Sequence, residues 1–334
     1  MEKIMNIRCV IVKMSFYSRF LYSLLNRIMI SSATREQAKK ESVVNIELIL
    51  KENNFQLVDT ESFRQKKTVF KVKDNQDTLF ILKTGNIEPL QIQLFQIAKL
   101  LENKLAFKVP AIIKQGVGWI LFEYIDGKPL NDFFEEKQDW CIKVSKKISD
   151  DYQLVVQELQ KTQLLGNLLA DGKEWFFSRL NMWSKPIIDA GLIDFPLIQQ
   201  LKKEFEEIIN KNDADFFGWV HGNIIGDHIL VSDENLYLLD LDVVPRIGGK
   251  YYDFLRSLDF AFIKSKDEEK VFKSIPKWMK QYLANFSEME IKLVFAFRNI
   301  GILGWDMIHC KAEDGKENVE RKKQLALKFI RREY

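Results

Sequence analysis

Period-two hydrophobicity is confined to two parts of this chain, and that confinement limits what it can fold into. The first part lies in the opening third. The runs "TVFKVK" (Thr68–Lys73) and "TLFILK" (Thr78–Lys83) are joined by the polar turn "DNQD", and "FQLVD" (Phe55–Asp59) precedes them. Alternation bounded by turn residues predicts a β-hairpin with a third strand beside it. A short helix is expected over 41–54. A second helical pattern runs from Pro89 to Asn103 and puts Leu90, Leu94, Ile97 and Leu101 on one face. Two further strand-like runs follow, "AFKVPAII" and "GWILFEYI". After Asp126-Gly127 the period changes, and long helical patterns occupy Asn131 to Asn212. Period two returns in the second part, as "WV", "HILV" and "LYLLDLDVV" between Trp219 and Val244, and from Tyr251 the pattern is helical to the end. The expected architecture is α+β and two-lobed. A leader (1–40) precedes a small antiparallel β-rich lobe with one helix (41–125). A larger, mainly helical lobe with one short hairpin follows (126–334), and the joint falls near Glu123 to Pro129.

Composition narrows the function classes. A net charge of +3 over 334 residues names no partner. Three cysteines, Cys9, Cys141 and Cys310, have neither metal-ligand spacing nor the look of a disulfide framework, which suits a reducing, cytoplasmic setting. No apolar run is long enough for a transmembrane helix. From Met5 to Thr34 the chain carries Arg8, Lys13, Arg19 and Arg27 and no acidic residue. Such a segment reads as a loosely packed leader, a targeting segment, or a basic amphipathic helix making weak contact with a membrane surface. A basic leader alone is poor support for nucleic-acid binding, and none is expected.

The second period-two region holds the chemistry. Of the three histidines, His221 and His228 both lie in "WVHGNIIGDHILV", a polar interruption between apolar runs. The order His221-Gly222-Asn223, four residues, His228, an apolar strand, then "LYLLD" ending in Asp240 resembles the aminoglycoside phosphotransferase and choline kinase-like family. That family shares the protein kinase fold. Gly248-Gly249 leading to Tyr252-Asp253 at a helix start, and "LFEYIDGKPL" (Leu121–Leu130) as the inter-lobe hinge, add to the resemblance, which covers about residues 45–330.

The resemblance implies ATP and Mg2+ as cofactors, a hydroxyl-bearing small molecule as acceptor, and phosphoryl transfer resting on positioning and charge neutralisation. Lys83, at the end of the third strand, would hold the nucleotide phosphates, with Glu88 as its helix partner; Gln93 and Gln96 lie at the centre of that helix. The glycine-free "TESFRQKK" (Thr60–Lys67) would cover the phosphates through Ser62, Lys66 or Lys67. Glu123 and Tyr124 would line the nucleotide at the hinge. Asp240 would bind the hard metal ion, with Asp242 adding a carboxylate if the strand continues, and His228 standing where many members have Asn. His221 and Asp253 would be structural supports of the loop. One residue departs from the pattern: Asn223 stands where the family has the Asp that accepts the substrate proton, and an amide cannot act as that base. The leading reading is a small-molecule kinase. The alternative is a nucleotide-binding pseudokinase acting as a regulator or binding module. A metal hydrolase built on His221, Asp227, His228 and Asp240 is a weaker third.

Overall fold

The computed structural model describes residues 46–58, 68–85, 87, 89–162, 164–165, 168–211, 217–309 and 316–334. The leader, the stretch containing Ser62, Lys66 and Lys67, and Glu88 lie outside the described residues. The described residues form an α+β fold that divides into two compact units. Among them, no helix is long and apolar enough to cross a membrane.

The first unit comprises the described residues up to Ile87 together with Ile113–Phe122. Residues 46–52 are helical (α1). A five-stranded sheet follows in the order β1-β2-β3-β5-β4, from β1 (Gln56–Leu57), β2 (Val69–Lys73), β3 (Leu79–Thr84), β4 (Ile112–Gly116) and β5 (Trp119–Glu123). The "DNQD" turn closes the β2–β3 hairpin. Asp74 Oδ1 accepts the amides of Gln76 and Thr78, at 2.8 and 2.9 Å, and Asp77 takes a positive φ, which Asp tolerates better than most residues. Register pairs Phe70 with Leu82 and Val72 with Phe80. These side chains share one face and pack with Ile46 and Ile49 of α1 and with Leu121. Lys83 has the opposite parity to Leu82, so it stands on the other face of the sheet, half-buried. The expected strand "FQLVD" is only two residues long here. "AFKVPAII" supplies a single bridge at Lys108, and pairing in the sheet starts later, at Ile112.

The second unit comprises Glu88–Ile112 and Glu123–Tyr334. This division differs from the expected one, because α2 (Pro89–Leu100) and the segment after it group with the helical unit. The physical ties are specific. Ala106 N donates to Asp151 Oδ2 at 2.6 Å, while Lys108 exchanges backbone hydrogen bonds with Leu236 and Leu238, at 2.7 and 2.9 Å. The helices are α3 (Gln138–Gln160), α4 (Leu168–Asp189), α5 (Phe195–Lys211), α6 (Tyr252–Lys264), α7 (Glu268–Tyr282), α8 (Glu288–His309) and α9 (Lys316–Arg331). Phe176, Phe205 and Phe297 meet at the centre, fully buried, with ring centroids 4.2 to 6.1 Å apart. Helices α4 and α8 approach so closely that a Cβ at Gly304 would lie 2.3 Å from the Trp183 carbonyl oxygen, so only glycine fits.

Two small β layers are set among these helices. β6 (Lys128–Pro129), β8 (Ile229–Ser232) and β9 (Asn235–Leu238) make one, and β7 (Phe217–Val220) pairs antiparallel with β10 (Val244–Ile247) in the other. The one hairpin expected from the sequence is therefore two separate pairings. "LYLLDLDVV" does not run as one strand, since residues 239–243 belong to neither layer.

Candidate active site

The polar interruption of the sequence is the connection from β7 to β8 together with residues 239–243. β7 is buried on the helical unit, and the chain must turn sharply at its end. Gly222 takes φ +83° there, and a Cβ would fall 2.4 Å from Val244 Cγ2, so the turn needs glycine on both counts. Asp253, in the first turn of α6 and fully buried, fixes the turn. Its two carboxylate oxygens accept the backbone N–H groups of His221 and Gly222, at 2.9 and 2.7 Å. Burial pushes the Asp253 carboxyl above the ordinary carboxylate range, with His221 and these two amides pulling the other way. A buried carboxylate held by backbone donors is a rigid anchor, since each lost partner strands a buried polar group.

His221 ties the two loop segments together. Asn223 N donates to His221 Nδ1 at 3.3 Å, so the ring proton is on Nε2, which donates to the Asp240 carbonyl oxygen at 2.5 Å. Tyr152, fully buried on α3, packs its ring edge-on to His221 with centroids 4.9 Å apart and donates its hydroxyl to the Asp242 carbonyl oxygen at 2.5 Å. Burial pushes the Tyr152 phenol well above its ordinary value, and the Asp253, Asp242 and Asp240 charges add to that. It stays a neutral donor. Two side chains thus hold the backbone on either side of Leu241, and this is why residues 239–243 leave the strand and why Asp240 and Asp242 are not held in a strand's same-face register.

Asp240 is half-buried, and its Oδ1 accepts from Gln91 Nε2 on α2 at 3.4 Å. Asp242 is open to solvent, and its Oδ1 accepts from Val243 N at 2.8 Å. Partial desolvation of its carboxyl group raises its affinity for a proton, and the Asp240 charge adds a smaller push. His228 is half-buried, with Nδ1 buried and without a hydrogen-bond partner. Desolvation holds its imidazole below the ordinary range despite the attraction of Asp240, so it is neutral at pH 7. Among the described residues no group of three or more His, Cys, Asp or Glu side chains can hold a metal alone. Asp240 and Asp242 are nonetheless hard oxygen donors of the kind that holds magnesium when nucleotide phosphates and water complete the shell. The hydrolase arrangement does not form. Both ring nitrogens of His221 are engaged inside the loop, and Asp227 is exposed and turned to Asn131 Nδ2 (2.7 Å) and Lys264 Nζ (3.6 Å).

Asn223 is half-buried, and its Oδ1 accepts from Arg256 Nε at 3.2 Å. Arg256 lies on α6, three residues after Asp253, on the same helical face. Arg246, on β10, stacks its guanidinium on Trp175 of α4 at 3.8 Å.

No protein-family model and no curated protein matches the sequence. Solved structures do match. The GDP and kanamycin complex of APH(2")-IIia is similar over 87% of this chain and 100% of that chain, at 12% identity with a TM-score of 0.51. Amicoumacin kinase hAmiN, in complex with AMP-PNP, Ca2+ and Ami, is similar over 86% of this chain and 93% of that one, at 11% identity with a TM-score of 0.50. The chain has the protein kinase-like fold of the aminoglycoside phosphotransferases and choline kinase-like proteins. An ethanolamine kinase of Plasmodium vivax is also similar, covering 95% of both chains at 13% identity with a TM-score of 0.49.

Within this kinase-like fold the second unit brings together His221, Asn223, His228, Asp240, Asp242 and Asp253. Lys83 belongs to the first unit, on β3. Glu123 ends β5, and both its amide and its carboxylate engage Ala111, at 3.0 and 2.9 Å, while Tyr124 beside it is half-buried. Four residues escaped the sequence reading: Tyr152, Gln91, Arg246 and Arg256. The two arginines left a trace, one inside the apolar run "VVPRIGG" and one at i+3 from Asp253. Tyr152 left none, because a buried tyrosine on a helix reads as core.

Proposed function

We propose that this protein is a nucleotide-dependent phosphotransferase acting on a hydroxyl-bearing small molecule. The observation that carries the proposal is the clamped loop. Asp253 holds the His221 and Gly222 amides, and His221 holds the Asp240 backbone, so the Asp240 carboxylate and the Asn223 side chain are presented from one rigid frame. Phosphoryl transfer asks for such positioning more than for covalent chemistry. In this reading Asp240 and Asp242 would hold magnesium against the nucleotide phosphates, which supplies charge neutralisation when bound. Lys83 is kept as a proposed phosphate contact. Glu88, Ser62, Glu123 and Tyr124 stay as proposed nucleotide contacts, Glu123 through atoms other than those engaged by Ala111. Asn223 would orient the acceptor hydroxyl by hydrogen bonding without taking its proton. The similar structures that carry AMP-PNP and GDP support a nucleotide as the first ligand.

A second reading has its own support. With an amide in place of the base, a nucleotide-binding module without turnover fits as well, and general bases typically supply about a hundredfold to ten-thousandfold in rate. One experiment separates the two. Calorimetry with ATP, with and without Mg2+, establishes binding, and transfer of label from [γ-32P]ATP to a broad acceptor panel establishes turnover. Binding with transfer supports the kinase; binding without transfer to any acceptor supports the module. If ATP binds neither with nor without Mg2+, both fail. Lys83→Met should weaken ATP binding by about tenfold or more through loss of one charged phosphate contact.

A further inference from the structure

Two guanidinium groups lie at the turn, Arg246 beside Gly222 and Arg256 beside Asn223. Arg246 and Arg256 both lie within the second unit and are half-buried, and desolvation lowers the affinity of each for its proton, that of Arg256 to about 10. Neither has an ion-pair partner among the described residues. The carboxylates that might serve are engaged elsewhere. Asp259 pairs with Arg298 at 2.9 Å and accepts from Asn299 at 3.3 Å, Asp253 takes the two loop amides, and Asp242, whose charge reaches Arg246 without an ion pair, is exposed and takes the Val243 amide at 2.8 Å. Arg246 Nη1 donates to the Pro245 carbonyl at 2.8 Å, but its Nε is buried with no partner. That edge faces the loop: Nη2 and Nε lie 3.6 and 3.7 Å from where a Cβ on Gly222 would stand. Arg256 gives its Nε to Asn223 Oδ1, and its terminal nitrogens have no partner among the described residues. Two cations therefore flank Gly222-Asn223 from β10 and α6. Stacking on Trp175 offsets part of the cost for Arg246. A half-buried guanidinium without a directly bonded carboxylate is costly, and such sites are commonly functional.

We propose that Arg246 and Arg256 form an anion-binding subsite beside Asn223, and that the acceptor presents a carboxylate or phosphate group to it. The proposal rests on the phosphotransferase reading for the word acceptor, but the subsite stands on its own geometry. A planar guanidinium with free donors matches a carboxylate or phosphate oxygen pair. A cationic aminoglycoside would be repelled at the same place. The Asn fits this arrangement, because a neutral amide leaves Arg256 its positive charge, whereas an aspartate at 3.2 Å would pair with it and compete with the ligand.

The test uses the full chain saturated with AMP-PNP and Mg2+, so that nucleotide phosphates already occupy their own site. Calorimetric titrations with D-glycerate and glycerol 3-phosphate are compared with glycerol and with kanamycin. At least one anion should bind about tenfold or more tighter than glycerol, and kanamycin should not displace it. Arg256→Gln and Arg246→Gln should each weaken that anion by about tenfold, Arg256→Lys should keep part of its affinity, and AMP-PNP affinity should be unchanged. Kanamycin binding above the anions, or anion affinity intact in both Gln variants, would overturn the subsite. So would a fall in AMP-PNP affinity without loss of anion binding, which would give the guanidiniums to the nucleotide. The comparison on the unmodified chain decides the matter even if a variant fails to fold. Loss of AMP-PNP binding in the unmodified chain would count against the phosphotransferase reading alone, since the anion titration can then be run without nucleotide.

Discussion

Replacing Asp253 by asparagine tests whether the loop clamp holds as described. Both carboxylate oxygens accept backbone N–H groups, at 2.7 and 2.9 Å, in a residue with no solvent exposure. Asparagine keeps the shape but offers one acceptor oxygen and one NH2 group. One loop amide would then face a donor instead of an acceptor. Stranding a buried donor costs about 1–3 kcal/mol, and turning the other bond from charged to neutral costs about 1 kcal/mol more. Against this, asparagine removes a buried charge whose penalty shows in the raised affinity of Asp253 for a proton. We expect the geometric loss to win, with a net destabilisation of about 2 kcal/mol, which corresponds to a fall in Tm of roughly 4–8 °C for a body of this size. Urea unfolding and calorimetry at pH 7.5 measure it. The same variant should lose nucleotide binding further than stability alone explains, because Asp240 is positioned through His221. A change under about 0.5 kcal/mol, or a more stable protein, would refute the clamp.

Three other outcomes are expected. Asn223→Asp should pair with Arg256, 3.2 Å from the present Oδ1, and stabilise the protein by about 1 kcal/mol in thermal unfolding. No gain in Tm would show that Arg256 does not sense this position. His228 is held neutral by desolvation with Nδ1 unpartnered, so its pKa in the folded state lies below the unfolded one. The unfolded chain then takes up the proton first, and the stability that His228 gives is present above its ordinary pKa of about 6.5 and lost as pH falls below it. Denaturant curves at pH 7.5 and 5.5 should show a smaller acid-side loss in His228→Gln than in the native protein. Gly304→Ala should force α4 and α8 apart, because the new Cβ would meet the Trp183 backbone at 2.3 Å, and cost about 1–3 kcal/mol by thermal unfolding; an unchanged Tm would mean that the helices part freely.

Local periodicity made the order of elements legible. Alternation in "TVFKVK" and "TLFILK", with the polar turn between them, gave the hairpin, because side-chain direction in a strand depends only on neighbours in sequence. The order His221, Asn223, His228, Asp240 and Asp253 marked the loop for the same reason, since motif spacing survives without knowledge of contacts. What tertiary structure alone decided is where long-range partners interrupt local preference. "LYLLDLDVV" has the pattern of a strand, yet it leaves the sheet at Leu239, because His221 and Tyr152, 19 and 90 residues away, take the Asp240 and Asp242 carbonyls. Helix α2 follows the hairpin in sequence but groups with the helical unit, through hydrogen bonds from Gln91 to Asp240 and from Ala106 to Asp151. Arg246 and Arg256 are ten residues apart on different elements, and no spacing rule links them. Only the packing of β10 and α6 around one turn puts Arg246 beside Gly222 and Arg256 beside Asn223, where partial desolvation makes their charges count.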